Sequence, residues 1–375
     1  MTVLTVYLVF ILIILILCID SAYFINRLII RKYTRKKVAK ANKELNELVE
    51  RHLEMEDINA IDEEEIKKVI SLVSTKYGLQ AYNNIYTRYF NNNGFDEKIE
   101  AYINRTIDYK VLLDNRIVRD RYRKSYILHL LGKFHMNSKD VIDFSLEALN
   151  DESLYTRTNA LRVASNSKNL SFFLDSLKII NDSDYYFNKK IIIDSVDNYN
   201  GDSNELNNEL LKQIHSFNDE FQSIFIEHFT NDRFSNEDAI EVMKSFVESD
   251  KKECIIAATK YFGKVHDVNA SKSILKNMEK DDGEIKAISA RVLSQYESEE
   301  TYKKLMEGLS DKNWFIRFNC AFSILNFDNA GKSIQEINDG KDAYAKEILL
   351  YAMFSKGMID FEEYEKTTEK ALEAS

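Results

Sequence analysis

The chain contains no proline. At the usual frequency a polypeptide of this length would carry roughly 19. Proline removes a backbone donor and drives its ring against the preceding turn, so a chain without it meets no obligatory helix break. Glycine is sparse too, at 10 of 375 residues, which leaves few places for tight hairpin turns that need positive φ. Together these scarcities argue against a β-sandwich or barrel and for helices joined by short Asn, Asp and Ser turns.

Excess positive charge is also missing. A formal net charge of −10 argues against a nucleic-acid partner, because phosphates repel an acidic surface. The three cysteines, Cys18, Cys254 and Cys320, have no metal-ligand spacing and suggest no disulfide framework. Reduced thiols of this kind suit a cytoplasmic domain. There is no Gly-X-Ser-X-Gly turn to expose a nucleophile and no glycine-rich cradle for phosphate. The acidic groups Asp62 to Glu65, Asp281-Asp282 and Glu299-Glu300 stand where helices begin, and there carboxylates complement the helix dipole. No catalytic centre, metal or cofactor is expected.

What the chain does have begins at once. Val3 to Ile19 is an unbroken apolar run of 17 residues, 14 of them Val, Ile, Leu or Phe. At 1.5 Å per residue it covers about 26 Å, and Ser21 to Ile25 extend it across a hydrocarbon core of about 30 Å. A transmembrane helix over residues 3–25 is expected. A cleaved signal peptide would need a positive n-region and a small-residue cleavage site, and a lipoprotein site at Cys18 would need small residues where Leu15, Ile16 and Leu17 stand. Immediately after the run come Arg27, Arg31, Lys32, Arg35, Lys36 and Lys37, then Lys40 and Lys43, with no Lys or Arg before it. By the positive-inside rule the N-terminus lies outside and the C-terminal domain in the cytoplasm, a single-pass arrangement. The same cluster suits anionic lipid headgroups. Leu45, Leu48, Val49 and Leu53 continue at helical spacing, so residues 26–55 read as a basic amphipathic stalk.

Self-similarity governs the remainder. Asp151 stands six residues before Arg157, and Asp311 six before Arg317; each arginine is followed by X-Asn and then small residues. Lys286 through Ala290 to Leu293 aligns with Arg317 through Ala321 to Ile324 at an offset of 31. Weaker copies surround Asp184 with Lys189 and Lys190, and Asp250 with Phe262-Gly263-Lys264, the latter echoed by Leu131-Gly132-Lys133. On these residues the chain resembles the HEAT-repeat superfamily, whose unit is a pair of antiparallel helices with an Asp in the turn and a Val-Arg-like pair opening the second helix. Ile316-Arg317, Ile285-Lys286 and Thr156-Arg157 match that pair; the proline common in the family's first helix is absent. The resemblance implies an all-α fold, a HEAT-like solenoid of about eight helical pairs over residues 111–375 behind a helical N-terminal cap at 56–110. No pair buries its apolar face alone, and stacking makes the core continuous.

One enzyme family of similar architecture, the deoxyhypusine hydroxylases, holds iron through His-Glu dyads. This chain has only the reversed pair Glu227-His228, and His129 and His135 are expected on different helix faces. Asp151, Arg157, Lys190, Lys286, Asp311 and Arg317 read as a structural Asp–Arg ladder. The denser cluster Arg116, Arg119, Arg121, Arg123 and Lys124 is the candidate surface for an acidic partner. The expected function is a non-enzymatic, membrane-anchored scaffold for a membrane-embedded protein partner, by analogy an envelope polysaccharide-synthesising glycosyltransferase system. The alternative is an enzyme accessory or lyase-like protein holding a small anionic ligand in the solenoid groove. A closed pocket of Tyr, Arg and His would favour the alternative, and an open groove with exposed aromatics the scaffold.

Overall fold

A computed structural model describes residues 3–94, 96–113 and 121–373. Among them there are 21 α-helices and no strand, as the missing prolines predict. The chain divides into two compact units, Met1–Phe172 and Phe173–Ser375.

The first unit contains α1 (Val3–Glu54), α2 (Glu63–Val73), α3 (Lys76–Asn93), α4 (Glu97–Thr106), α5 (Tyr109–Leu112), α6 (Arg121–Lys133), α7 (Lys139–Ala148) and α8 (Leu154–Asn166). Helix α1 runs without a break from the apolar run to Glu54. Its most apolar stretch has a mean hydropathy of 2.0 and no residue buried, so it is long and apolar enough to cross a membrane. The far end of the same helix behaves differently: Leu45, Val49 and Leu53 are buried, and α2, α3 and α4 pack against it. Polar bonds lock this end. His52 lies fully buried between Tyr102, whose hydroxyl is 3.0 Å from Nδ1, and Glu65, whose carboxylate is 2.9 Å from Nε2. Arg88 reaches back to Glu50 at 2.6 Å, and Lys98 donates to the Leu53 carbonyl at 2.6 Å.

After α9 (Leu170–Asn181), the second unit contains α10 (Lys189–Asp197), α11 (Ser203–Gln213), α12 (Asp219–Asp232), α13 (Glu237–Val247), α14 (Lys252–Phe262), α15 (Ala270–Asn277), α16 (Gly283–Val292), α17 (Glu299–Gly308), α18 (Trp314–Ile324), α19 (Ala330–Asp339), α20 (Ala343–Ser355) and α21 (Phe361–Glu373). Packing follows an alternation: α10 lies on α12, α12 on α14, α14 on α16, α16 on α18 and α18 on α20, while α13, α15, α17 and α19 each flank a member of that row. Helix starts are capped by the side chains of Asn188, Asp202, Asn218, Asn236, Asp282, Ser298, Asn313 and Asp342. Each cap satisfies backbone donors that the first turn leaves open. The small residues of the row are fully buried: Ala258, Ala290, Cys320, Ala321 and Ala352. They allow helix axes to approach within the usual 8–10 Å. Gly308 meets the same demand, since a Cβ there would lie 2.4 Å from the Cys320 sulfur.

Candidate functional site

The two arginines of the sequence motif make the same bonds in both units. Arg157 Nη1 donates to the carbonyls of Asp151 at 2.7 Å and Glu152 at 3.0 Å. Arg317 Nη1 donates to those of Asp311 at 2.8 Å and Lys312 at 3.2 Å. The guanidinium therefore clamps the carbonyls of its own turn, not the carboxylate. The carboxylates do two other things. Asp151 accepts from the Ser153 backbone N–H at 2.9 Å and pairs with Lys124 of α6 at 3.1 Å. Asp311 accepts from the Asn313 N–H at 2.8 Å and pairs with Lys286 of α16 at 3.6 Å. Asp282 repeats the pattern with Lys252 at 3.1 Å, and backbone N–H groups and this lysine hold its carboxyl below the usual range. The turns at Asp151 and Asp311 are thus each tied to the helix they open and to a helix one pair earlier.

Lys190 stands apart. It points outward and pairs with Asp194 on its own helix at 2.7 Å. Its neighbour Lys189 reaches α12 instead, 3.5 Å from Glu227 and 3.3 Å from the Ser223 hydroxyl. One residue is about 100° of helix rotation, which suffices to turn a cation from the packed face to solvent.

The two basic clusters fare unequally. Arg27, Arg31, Lys32, Arg35, Lys36 and Lys37 are all exposed on α1. Of the second cluster, Arg116 and Arg119 lie outside the described residues, as does the side chain of Arg121, and Arg123 is exposed. Lys124 is no surface cation: it is largely covered and held by Asp151.

Cys18 is exposed on α1, whereas the buried histidines and cysteines serve packing. His228 is buried, with Nδ1 2.6 Å from Asp197 and Nε2 2.8 Å from the Asn207 carbonyl oxygen, whose amide donates to Asp232 at 2.6 Å. That network joins α10, α11 and α12. His135 is not on the face of a helix; it occupies the turn after α6 with φ of 54° and bonds the Asn166 carbonyl at 2.9 Å. Burial lowers its pKa and that of His129. Cys254 and Cys320 are fully buried; burial pushes the Cys254 thiol up to about 11 and the Cys320 thiol upward as well. Neither is an activated nucleophile at neutral pH. Among the described residues no three His, Cys, Asp or Glu side chains converge as a metal site.

A well-defined concavity belongs to the second unit. A groove of about 530 Å³ runs over α12, α14, α16 and α18, floored by Ile256, Ile288, Val292 and Phe322. Lys260, Lys264 and Arg291 line it, all exposed. Among the described residues none of these three has a carboxylate within 4.0 Å. Lys189 and Glu227 at one end offset each other, and Glu253 stands on the rim. A second hollow of about 360 Å³ continues along the same row, sharing Ile256, Lys260, Ile288 and Arg291 and ending at Phe315. Phe315 is 64% exposed, with Trp314 and Tyr344 also open to solvent. The Trp314 indole stacks on Phe318 at 5.2 Å, and the Arg317 guanidinium lies 5.5 Å from the centre of the Tyr344 ring. Sequence reasoning passed over these cations because Lys260 and Lys264 sit inside the repeat motif of an acidic chain. Their i, i+4 spacing was the available signal.

No family model matches the chain, and no curated protein matches it. Among solved structures, an engineered protein is similar at 14% identity, with a TM-score of 0.34, covering 83% of this chain and 92% of its own. Human deoxyhypusine hydroxylase in complex with glycerol is similar at 14% identity, with a TM-score of 0.26, covering 78% of this chain and 95% of its own.

Proposed function

We propose that this protein is a membrane-anchored, non-enzymatic adaptor whose helical body, a HEAT-like solenoid, binds a membrane-embedded protein partner on the cytoplasmic side. One observation carries the reading: α1 is a single helix whose apolar side chains are exposed from Phe10 to Ile30 and whose Leu45, Val49 and Leu53 are buried in the first unit. An unbroken helix of this kind joins a lipid-facing segment rigidly to a folded body. The exposed cations of α1 between Arg27 and Lys37 support a cytoplasmic body and contact with anionic headgroups. The turn clamps at Asp151 and Asp311, with the alternating packing of the second unit, support stacked helical pairs. Confinement to the membrane plane raises the effective concentration of body and partner without any new contact. An exposed aromatic and basic face suits protein recognition, where Trp, Tyr and Arg dominate the binding energy.

The test is crosslinking of the intact protein in its own membranes, followed by purification. One stoichiometric membrane protein should co-purify. Recovery of the chain alone with a tightly held small molecule would overturn the adaptor and favour the small-ligand alternative.

A further inference from the structure

We propose that the groove on α14, α16 and α18 is the docking site of this adaptor and that its occupant is an extended acidic segment of the partner protein, seated with an apolar side chain against Phe315. The inference rests on the adaptor reading and adds a location and a chemistry to it.

Charge is the first argument. In a chain of net charge −10, Lys260, Lys264 and Arg291 are gathered on one face and lack acidic partners, while their neighbours in sequence are engaged. Lys252 is bound by Asp282 and Glu284, and Lys286 by Asp311. Of the carboxylates that line the two hollows, Glu227 is paired with Lys189 and Glu284 with Lys252, which leaves Glu253 facing the three cations. Exposed like charges repel one another, and an anionic occupant relieves that repulsion.

Shape is the second argument. Packed helix axes stand about 8–10 Å apart. Lys260 stands on the last turn of α14, Lys264 in the turn that follows it, and Arg291 on α16, the next helix of the row. The three charges therefore come from one helix, the turn after it and the neighbouring helix, spread along the row. An extended polypeptide places alternate side chains about 7 Å apart on one face, which matches cations spaced along a row. The apolar floor of Ile256, Ile288 and Phe322 suits the aliphatic parts of such a segment, and the exposed Phe315 and Trp314 close one end.

The experiment places a photo-crosslinking amino acid at Ala287, which lines the hollow, in the full chain within its native membranes. A second probe at the exposed Tyr155 of the first unit serves as a separate reporter. The crosslinked peptide is sequenced by mass spectrometry. The expected result is capture at Ala287 of a protein segment rich in Asp and Glu, with the yield cut about tenfold in the Lys260→Glu, Arg291→Glu double variant. Both side chains are exposed, so circular dichroism should show the variant folded. Capture of a phospholipid, of a neutral or basic segment, or of an acidic segment at undiminished yield in the double variant would each overturn the proposal. Capture at Tyr155 with none at Ala287 would overturn the groove and leave the adaptor standing. Capture at neither position would remove both.

Discussion

Two stretches of one helix, residues 10–30 and 45–54 of α1, are both rich in aliphatic residues and meet opposite fates. In the first, apolar side chains point in every direction and are exposed. In the second they form a stripe of Leu45, Val49 and Leu53 that is buried, while Glu44, Glu47, Glu50 and Glu54 face solvent. An apolar surface on all sides of so long a helix is of the length and composition that can cross a membrane. A stripe calls for a partner helix, and α3 supplies it. Hydrophobicity alone does not distinguish the two; its angular distribution does.

The comparison breaks most severely when charge enters the first stretch. Replacing Ile11 and Ile14 by Arg should cost about 6 kcal/mol of insertion free energy, moving the protein from carbonate-washed membranes to the soluble or aggregated fraction. In the second stretch, Leu45→Ala should lower the stability of the first unit by about 2–4 kcal/mol through the cavity it leaves. Urea unfolding in detergent micelles measures this, and Ile29→Ala should leave the same transition within about 0.5 kcal/mol. A large effect at Ile29 would erase the distinction between the stretches.

The polar lock gives a smaller effect with a pH signature. His52→Ala leaves the Tyr102 hydroxyl without its bond and should cost about 1–3 kcal/mol. The hydrogen bond from His52, followed by that from Arg51, holds the Glu65 carboxyl below its ordinary value. A depressed carboxylate contributes stability that is present above its unfolded pKa and lost as pH falls through its folded pKa. The acid limb of the stability profile should therefore be shallower in Glu65→Gln, and an unchanged limb would show that this carboxylate does not couple to folding. Smallest of all is the exposed pair Lys40–Glu44 at 3.8 Å between the stretches. Its removal should change stability by less than about 0.5 kcal/mol.

The same contrast explains how much was legible beforehand. Helicity, the apolar stretch and the polar caps at Ser153, Asn236 and Asn313 depend on contacts a few residues apart, and the spacing of residues carries them. The equal spacing of Asp151 to Arg157 and Asp311 to Arg317 was legible for that reason too. The expected carboxylate pairing of those arginines was not, because only the turn geometry directs the guanidinium to the carbonyls. The buried His52–Glu65 contact bridges 13 residues across a turn, and no periodicity signals it. Lys190 was placed in the ladder by alignment, and a rotation of one residue gave its place to Lys189.

The amino-acid order alone settles that this chain is helical, that its beginning is apolar on all sides and that its turns recur, because propensity, capping and periodicity act over one or two helical turns. Only the packed helices decide which cations are spoken for. Lys124 and Lys286 meet carboxylates 27 and 25 residues away, whereas Lys260, Lys264 and Arg291 meet none among the described residues. A salt bridge across stacked helices is set by which faces come together, and that is a property of the assembled row, not of any segment within it.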